Sequence, residues 1–263
     1  MTLYWRASKQ TDENAKISLR LVDPSGRQVA QQDGMPIYDA YPTSAWRPGE
    51  VIVDTHYLPV PLGTVPGDYR ITLSLYSPSW PDGIQAFDGS ILENHVDLGP
   101  VTVARPLKPP ALDGLPDRPA QKVGGPSLPG WTEGDSLASL GVYHVLRGNF
   151  DNQITLYGFG LSRDPLKPGE GVDVTLLWQA ERDIDSSYIV FLQVVDGDGK
   201  IWTSSDSPPV SGKYPTSRWI RGEIVRDTHT LVLPANTPNG DYRIQVGLYR
   251  SQDSAKERLT VLR

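Results

Sequence analysis

The sequence predicts an all-β chain built as two tandem antiparallel sandwiches, and three observations predict it. The first is an internal repeat. Tyr41-Pro42-Thr43-Ser44-Ala45-Trp46-Arg47-Pro48-Gly49-Glu50-Val51-Ile52-Val53-Asp54-Thr55-His56 returns as Tyr214-Pro215-Thr216-Ser217-Arg218-Trp219-Ile220-Arg221-Gly222-Glu223-Ile224-Val225-Arg226-Asp227-Thr228-His229. At a constant offset of 173 the register holds without a gap, from Thr2-Leu3-Tyr4-Trp5 against Thr175-Leu176-Leu177-Trp178 to Leu75-Tyr76 against Leu248-Tyr249. Agreement of this kind is what a duplicated structural unit leaves behind. The second observation is composition: 25 Gly and 24 Pro among 263 residues, with no long run of helix formers, favour short strands joined by turns. The third is alternation, as in Ile17-Ser18-Leu19-Arg20-Leu21-Val22, where apolar and polar residues exchange with the period of a half-buried strand.

The elements follow in order. Copy one opens on Leu3-Tyr4-Trp5-Arg6-Ala7 and continues through Ile17–Val22 to the turn Asp23-Pro24-Ser25-Gly26, matched in copy two by Asp196-Gly197-Asp198-Gly199. Strands flanking an Asp/Gly pair predict a hairpin. The next strand ends near Asp33 or Asp206, and a Pro-containing loop leads into a strand predicted over Val51–Val60, matched by Ile224–Leu233. The last strands are predicted at Gly99–Val103 and Arg258–Leu262. Copy two has a lead-in, Ile154-Thr155-Leu156-Tyr157-Gly158-Phe159, that copy one lacks. We therefore expect repeat 1 (residues 1–105) to miss its first strand and the chain to be a fragment of a larger protein. Residues 106–138 are dense in Pro and Gly and predict an extended linker, and 139–263 form repeat 2. The stretch Val142-Tyr143-His144-Val145-Leu146 is a further strand candidate, and it offers one way to fill the position missing from repeat 1.

Between Gly67-Asp68-Tyr69-Arg70-Ile71 and Gly240-Asp241-Tyr242-Arg243-Ile244 the match becomes specific. A Tyr at the start of a late strand, two residues after Gly, is similar to the tyrosine corner of immunoglobulin-like (fibronectin III-like) sandwiches, in which the phenol bonds back to the backbone. Tyr69 and Tyr242 are the predicted corners.

Net charge is −6, and no stretch gathers the Lys and Arg needed to neutralise a phosphate backbone, so nucleic acid is not an expected partner. The chain has no Cys, which removes disulfides and thiolate chemistry. No apolar run approaches membrane-spanning length, so any membrane association is expected only through other parts of a parent chain. The Gly-rich pieces match neither a dinucleotide fingerprint nor a P-loop, and no cofactor is expected.

Four candidates remain for chemistry. Asp54-Thr55-His56 and Asp227-Thr228-His229 place an acid and an imidazole on one strand face, about 6–7 Å apart along the strand. Their parity with Leu58 or Leu231 marks them as residues at the rim of the core, and Ser44 and Ser217 lack a nucleophile setting. The Asp196–Gly199 stretch begins like a Ca²⁺ loop, but Ser207 stands where a twelfth-position Glu is required, so no metal is expected. The four His show no zinc spacing. Trp5, Trp46, Trp178 and Trp219 recur at equivalent positions and read as core, whereas the unrepeated Trp80, Trp131 and Trp202, with Tyr38, are candidates for exposed ligand platforms. The insertion Ser77–Asp97, found only in copy one and carrying Trp80, Phe87 and His95, is a second candidate surface.

Taken together, Leu3-x-Trp5-x-Ala7, Val22-Asp23-x-x-Gly26, Asp33-x-x-Pro36, the Tyr41–His56 stretch and Gly67-Asp68-Tyr69-Arg70-Ile71 resemble a family of extracytoplasmic β-sandwich modules. These modules stand at the C-terminal ends of bacterial membrane glycosyltransferases of the dolichyl-phosphate-mannose type. The resemblance covers roughly residues 2–103 and 152–262. It implies a non-enzymatic accessory or scaffold region outside the cytoplasm, with a cell-envelope protein as partner; the alternative is a carbohydrate-binding module that takes a glycan on loop aromatics.

Overall fold

The structure, a computed structural model, describes residues 1–83, 86–87, 92–108, 112, 137, 140–252, 255–259 and 261–262. Among them no α-helix occurs, and every strand pairing is antiparallel. The chain divides into two compact units, Met1–Arg105 and Pro106–Arg263.

The first unit carries β1 (Thr2–Arg6), β2 (Lys16–Val22), β3 (Gln28–Gly34), β4 (Val51–Thr55), β5 (Gly67–Tyr76), β6 (Ala86–Phe87), β7 (Leu92–Glu93) and β8 (Val96–Val103). A four-stranded sheet runs β3-β2-β5-β8, β1 pairs with β4, and β6 pairs with β7. Ile17, Leu19 and Leu73 of the larger sheet meet Leu3 and Trp5 of the smaller, so the core lies between the two. A second cluster gathers Leu21, Ala30 and Tyr69 with Leu58, Val101 and Val103.

The second unit carries β9 (His144–Phe150), β10 (Ile154–Leu161), β11 (Gly171–Ala180), β12 (Ile189–Val195), β13 (Ile201–Ser207), β14 (Ile224–Val232), β15 (Arg243–Gln252), β16 (Ala255–Arg258) and β17 (Val261–Leu262). Its sheets run β14-β11-β10-β9-β17 and β13-β12-β15-β16. Pairings recur at the sequence offset: Thr2↔Thr55 and Trp5↔Ile52 correspond to Thr175↔Thr228 and Trp178↔Val225. Ile17↔Leu75 corresponds likewise to Val190↔Leu248.

Two expectations need correction. The strand predicted over Val51–Val60 ends at Thr55, because Pro59 and Pro61 withhold backbone donors and β1 supplies partners only as far as Met1, whose carbonyl takes the His56 N–H. The stretch around His144 does not complete repeat 1; as β9 it lies between β10 and β17 of the second unit. Most of the predicted linker, Trp131 included, lies outside the described residues, but Leu112 and Leu137 are buried, and the Leu112 carbonyl accepts from the Tyr157 phenol at 2.9 Å.

Local chemistry explains the turns. In the β2–β3 hairpin the Asp23 carboxylate accepts from the backbone N–H groups of Ser25 and Arg27, and Gly26 takes a φ of 86°. Asp196 does the same for Asp198 and Lys200, with Gly199 at 83°. Glycine suits this left-handed position because it has no Cβ to clash. The phenol of Tyr69 donates to Val65 O at 2.7 Å, and that of Tyr242 donates to Pro238 O at 2.6 Å. Tyr69 is buried, so Tyr69→Phe leaves a carbonyl without its donor and is expected to destabilise the first unit by about 1 kcal/mol. Urea unfolding of the wild type and variant checks this; the more exposed Tyr242 gives the smaller loss under the same substitution.

Candidate functional site

The repeated motif is a hydrogen-bonded cassette whose polar residues each have a task inside the fold. Thr43 Oγ1 accepts from Ala15 N and donates to Glu13 O, tying the loop to the start of β2. Thr216 repeats this with Tyr188 N and Ser186 O. Trp46 and Trp219 donate their indole N–H to Tyr41 O and Tyr214 O, each at 3.2 Å. Glu50 and Glu223 accept from the phenols of Tyr41 and Tyr214 and from the backbone N–H of Arg47 and Ile220. Burial, with the Glu50 carboxylate behind it, raises the Tyr41 pKa, and Arg47 opposes the rise.

At the end of the cassette stand the acid and the imidazole. Asp54 is 0% exposed and His56 5%. Their side chains close to 2.7 Å between Asp54 Oδ2 and His56 Nε2, and Trp5 Nε1 donates to the same oxygen at 3.1 Å. The other oxygen, Oδ1, accepts from Ile37 N at 2.8 Å. In the second unit Asp227 Oδ2 lies 2.6 Å from His229 Nε2, and Oδ1 accepts from Val210 N at 2.7 Å. Trp178, the counterpart of Trp5, is buried with its indole N–H unpartnered among the described residues.

Each carboxylate therefore holds down a turn of unusual backbone. Ile37, Tyr38 and Asp39 have φ of 53°, 52° and 66°, and Val210, Ser211 and Gly212 have 53°, 53° and 81°. A left-handed conformation costs an L-residue roughly 1–2 kcal/mol, so the carboxylate bond to the first residue of each turn, fully buried in the second unit, is what fixes it. Tyr38 rides at the tip of the turn in the first unit and is 72% exposed.

The remaining imidazole nitrogen distinguishes the copies. His56 Nδ1 meets Gln32 Oε1 at 3.1 Å, whereas His229 Nδ1 meets Ser207 Oγ at 3.1 Å. Sequence reasoning tested Ser44 and Ser217 and missed Ser207, which completes a Ser–His–Asp chain in the second unit. Ser44 instead donates to Asn14 and Ser217 accepts from Ser187, away from the carboxylates. The His229 ring is closed off from solvent, and repeat 1 has Gly34 in place of Ser207, so the chain of bonds serves the interior.

A polar cavity of about 270 Å³ opens on the outer face of the first unit. Arg20, Gln31, Asp33, Ser74 and Tyr76 of β2, β3 and β5 form its floor, and Asp82, Asn94 and His95 of the insertion form its wall. Gln31 donates to Asp33 at 2.7 Å. Burial raises the Tyr76 pKa, the Asp33 carboxylate adds to the rise through charge and a hydrogen bond, and Arg20 opposes it. Trp80 is half-buried and closes a tight turn with Ser77, next to the lining residue Pro81. The second unit keeps the Tyr–Asp pair, with the Tyr249 phenol donating to Asp206 at 3.0 Å. There, however, Phe191 replaces Ser18 and lies so close to Gly247, the counterpart of Ser74, that a Cβ would meet its ring at 2.4 Å. Arg258 covers that ring at 4.8 Å. The same face is thus filled in one copy and hollow in the other.

Trp202 is half-buried and tied into its hairpin: its Nε1 donates to Asp196 at 2.9 Å, Lys200 sits 3.7 Å above its ring and Tyr242 meets it edge-on at 6.4 Å. The Trp202 indole and the Lys200 and Asp198 amides hold the Asp196 carboxyl below its usual range. These donors come from the turn and from the strand that follows it.

The geometry defines an all-β protein of antiparallel sheets with a buried, repeated acid–imidazole pair and polar cavities on its surface, one of them beneath the insertion of the first unit. No family model and no curated protein matches the chain. Among solved structures it is similar to the C-terminal domain of Wzt, at 16% identity over 43% of this chain and 70% of that one, with a TM-score of 0.34. Similarity of that extent says nothing about activity.

Two variants check the role of the carboxylates. Asp227→Ala leaves the Val210 N–H and the His229 ring without an acceptor and is expected to destabilise by about 2 kcal/mol or more, with new proteolytic cleavage between Pro208 and Lys213. Ser211→Gly relieves a left-handed residue whose exposed side chain makes no hydrogen bond among the described residues, and is expected to stabilise by about 0.5 kcal/mol in urea unfolding. A loss of stability on Ser211→Gly contradicts the left-handed assignment.

Proposed function

We propose that the chain is a non-catalytic accessory region of a larger cell-envelope protein that handles glycans, working outside the cytoplasm. The observation that supports a non-catalytic role is the burial of both Asp–His pairs, with every ring nitrogen already engaged inside the fold. A general base has to reach the proton it removes, and these imidazoles face strands and turns. The envelope and glycan parts of the reading rest on the motif resemblance of the repeated stretch. Its partners are then a cell-envelope protein or a glycan, with membrane contact made through the parent chain.

A second reading, carbohydrate binding, is favoured by one feature, the cavity of the first unit. It combines a guanidinium, two carboxylates, two amides and an imidazole around a volume of about 270 Å³. Hydroxyls that both donate and accept are well matched by such a mixture.

Two assays on the intact chain separate these readings. A fluorophosphonate probe is expected to leave Ser207 unlabelled; labelling that disappears in Ser207→Ala overturns the non-catalytic reading. A glycan array, run in parallel on Arg20→Ala and on Trp80→Ala with Trp202→Ala, tests the second. Binding lost with Arg20 establishes the cavity as a saccharide site, binding lost only with the tryptophans moves the site to an aromatic platform, and no binding leaves the accessory role without ligand recognition.

A further inference from the structure

In a protein whose net charge is −6, three guanidiniums gather around one hollow of the second unit. Arg182 comes from the loop between β11 and β12, Arg250 from β15 and Arg258 from the end of β16; with the β9–β10 turn they enclose about 320 Å³. The walls are fixed from inside. Gln153 Oε1 accepts from Arg182 Nη2 at 2.9 Å and from the Tyr188 phenol at 3.1 Å, which binds the β9–β10 turn to the β11–β12 loop. Thr216 of the repeated cassette accepts from Tyr188 N and donates to Ser186 O, so the same loop is tied to the cassette. A guanidinium carries five N–H donors, and one bond to Gln153 leaves the exposed Arg182 able to grip an oxyanion as well.

The balance of charge selects the anion. Asp151 and Asp185 line the same hollow, so three positive charges against two negative leave an excess of one. A carboxylate carries the single negative charge that matches this excess. A phosphate monoester approaches two near neutral pH and meets both aspartates besides. What the aspartates do accept is a hydroxyl proton. Guanidinium beside carboxylate therefore suits a ligand with one acid group and several hydroxyls.

The equivalent positions of the first unit are acidic. Lys9 and Asp12 match Arg182 and Asp185 in charge, but Glu13 stands where the second unit has Ser186, and it accepts from Ser79. Ser77 stands where the second unit has Arg250. An acid has given way to a hydroxyl and a hydroxyl to a guanidinium, so the shared fold does not demand the positive excess.

We propose that this hollow binds a sugar acid, a hexuronate whose carboxylate is held by the guanidiniums and whose hydroxyls donate to Asp151 and Asp185. The site belongs to the second unit alone and does not depend on the cavity beneath the insertion. A free sugar acid and a uronate residue of a polysaccharide present the same groups to it.

The test titrates the intact chain, labelled with nitrogen-15, with glucuronate and with galacturonate. Saturable shifts of the Ser186, Tyr188 and Leu259 amides are expected with at least one of them, and the corresponding neutral methyl glycosides bind roughly tenfold more weakly. Arg182→Gln, an exposed substitution whose fold the same spectra verify, lowers the affinity by a similar factor, and Arg20→Ala in the first unit leaves it unchanged. Tetragalacturonate identifies the source: tighter binding than the monosaccharide supports a residue of a polymer, and equal binding supports the free acid. Absence of saturable shifts with both uronates overturns the proposal. So does binding indifferent to Arg182→Gln, equal binding of the neutral glycosides, or binding of inorganic phosphate as tight as that of the uronates, which makes the hollow a general anion site.

Discussion

A buried carboxylate is expensive to keep away from water, and the cassette of each unit is arranged to keep one. Asp54 and Asp227 sit on strands that face the core, and neither has an Arg or Lys partner among the described residues. Their oxygens are satisfied by a backbone N–H, an imidazole and, in the first unit, an indole. Each of those donors belongs to a different segment, so one side chain fixes a strand, a left-handed turn and a neighbouring residue at once. The rest of the repeated stretch extends the same logic outward. Thr43 clamps the chain to the beginning of β2, Glu50 organises the turn before β4, and Trp46 covers the loop between them. This explains why a sequence pattern that looks enzymatic is shared almost without change by two units: its residues answer to one another.

How far this could be read from the sequence depends on the range of the interaction. Hairpins are local, and Asp23–Gly26 and Asp196–Gly199 announce theirs through an Asp that bonds its own turn and a Gly that takes positive φ. The backbone bonds of Tyr69 and Tyr242 reach only four residues, so spacing from the preceding Gly was enough to mark them. The left-handed turns gave no such signal. Ile37, Tyr38 and Val210 are poor residues for that conformation, and what holds them there is an aspartate 17 residues away. Tertiary constraint overrode local preference. The end of β4 was missed for a simpler reason: the alternation of Tyr57, Leu58 and Val60 suggests a strand, but a strand also needs a partner and donors, and the prolines remove the donors.

The Ser207–His229–Asp227 chain shows the opposite hazard. Read by distance alone it has the members of a nucleophilic triad, and no G-x-S-x-G context would have revealed it. Comparison within the molecule supplies the missing control. Repeat 1 keeps the Asp and the His, replaces Ser207 by Gly34, and satisfies the same nitrogen with Gln32 from another position on the neighbouring strand. What is retained is a hydrogen bond to the imidazole, and the identity of the partner is free. That is the behaviour of an interior polar network, where an unmade bond is penalised more than any particular partner is rewarded.

The positions where the copies diverge carry the complementary information. Core faces of β2 and β12 keep their apolar character, Ile17, Leu19 and Leu21 against Val190, Leu192 and Val194, because volume and burial constrain them. On the outer face Ser18 and Ser74 become Phe191 and Gly247, a coupled exchange in which the ring occupies the space the glycine leaves. Neither exchange works alone: Phe at 18 would meet the side chain of Ser74, and Gly at 74 would deepen the hollow. The second unit has thus sealed a face that the first unit leaves polar and concave under its own insertion.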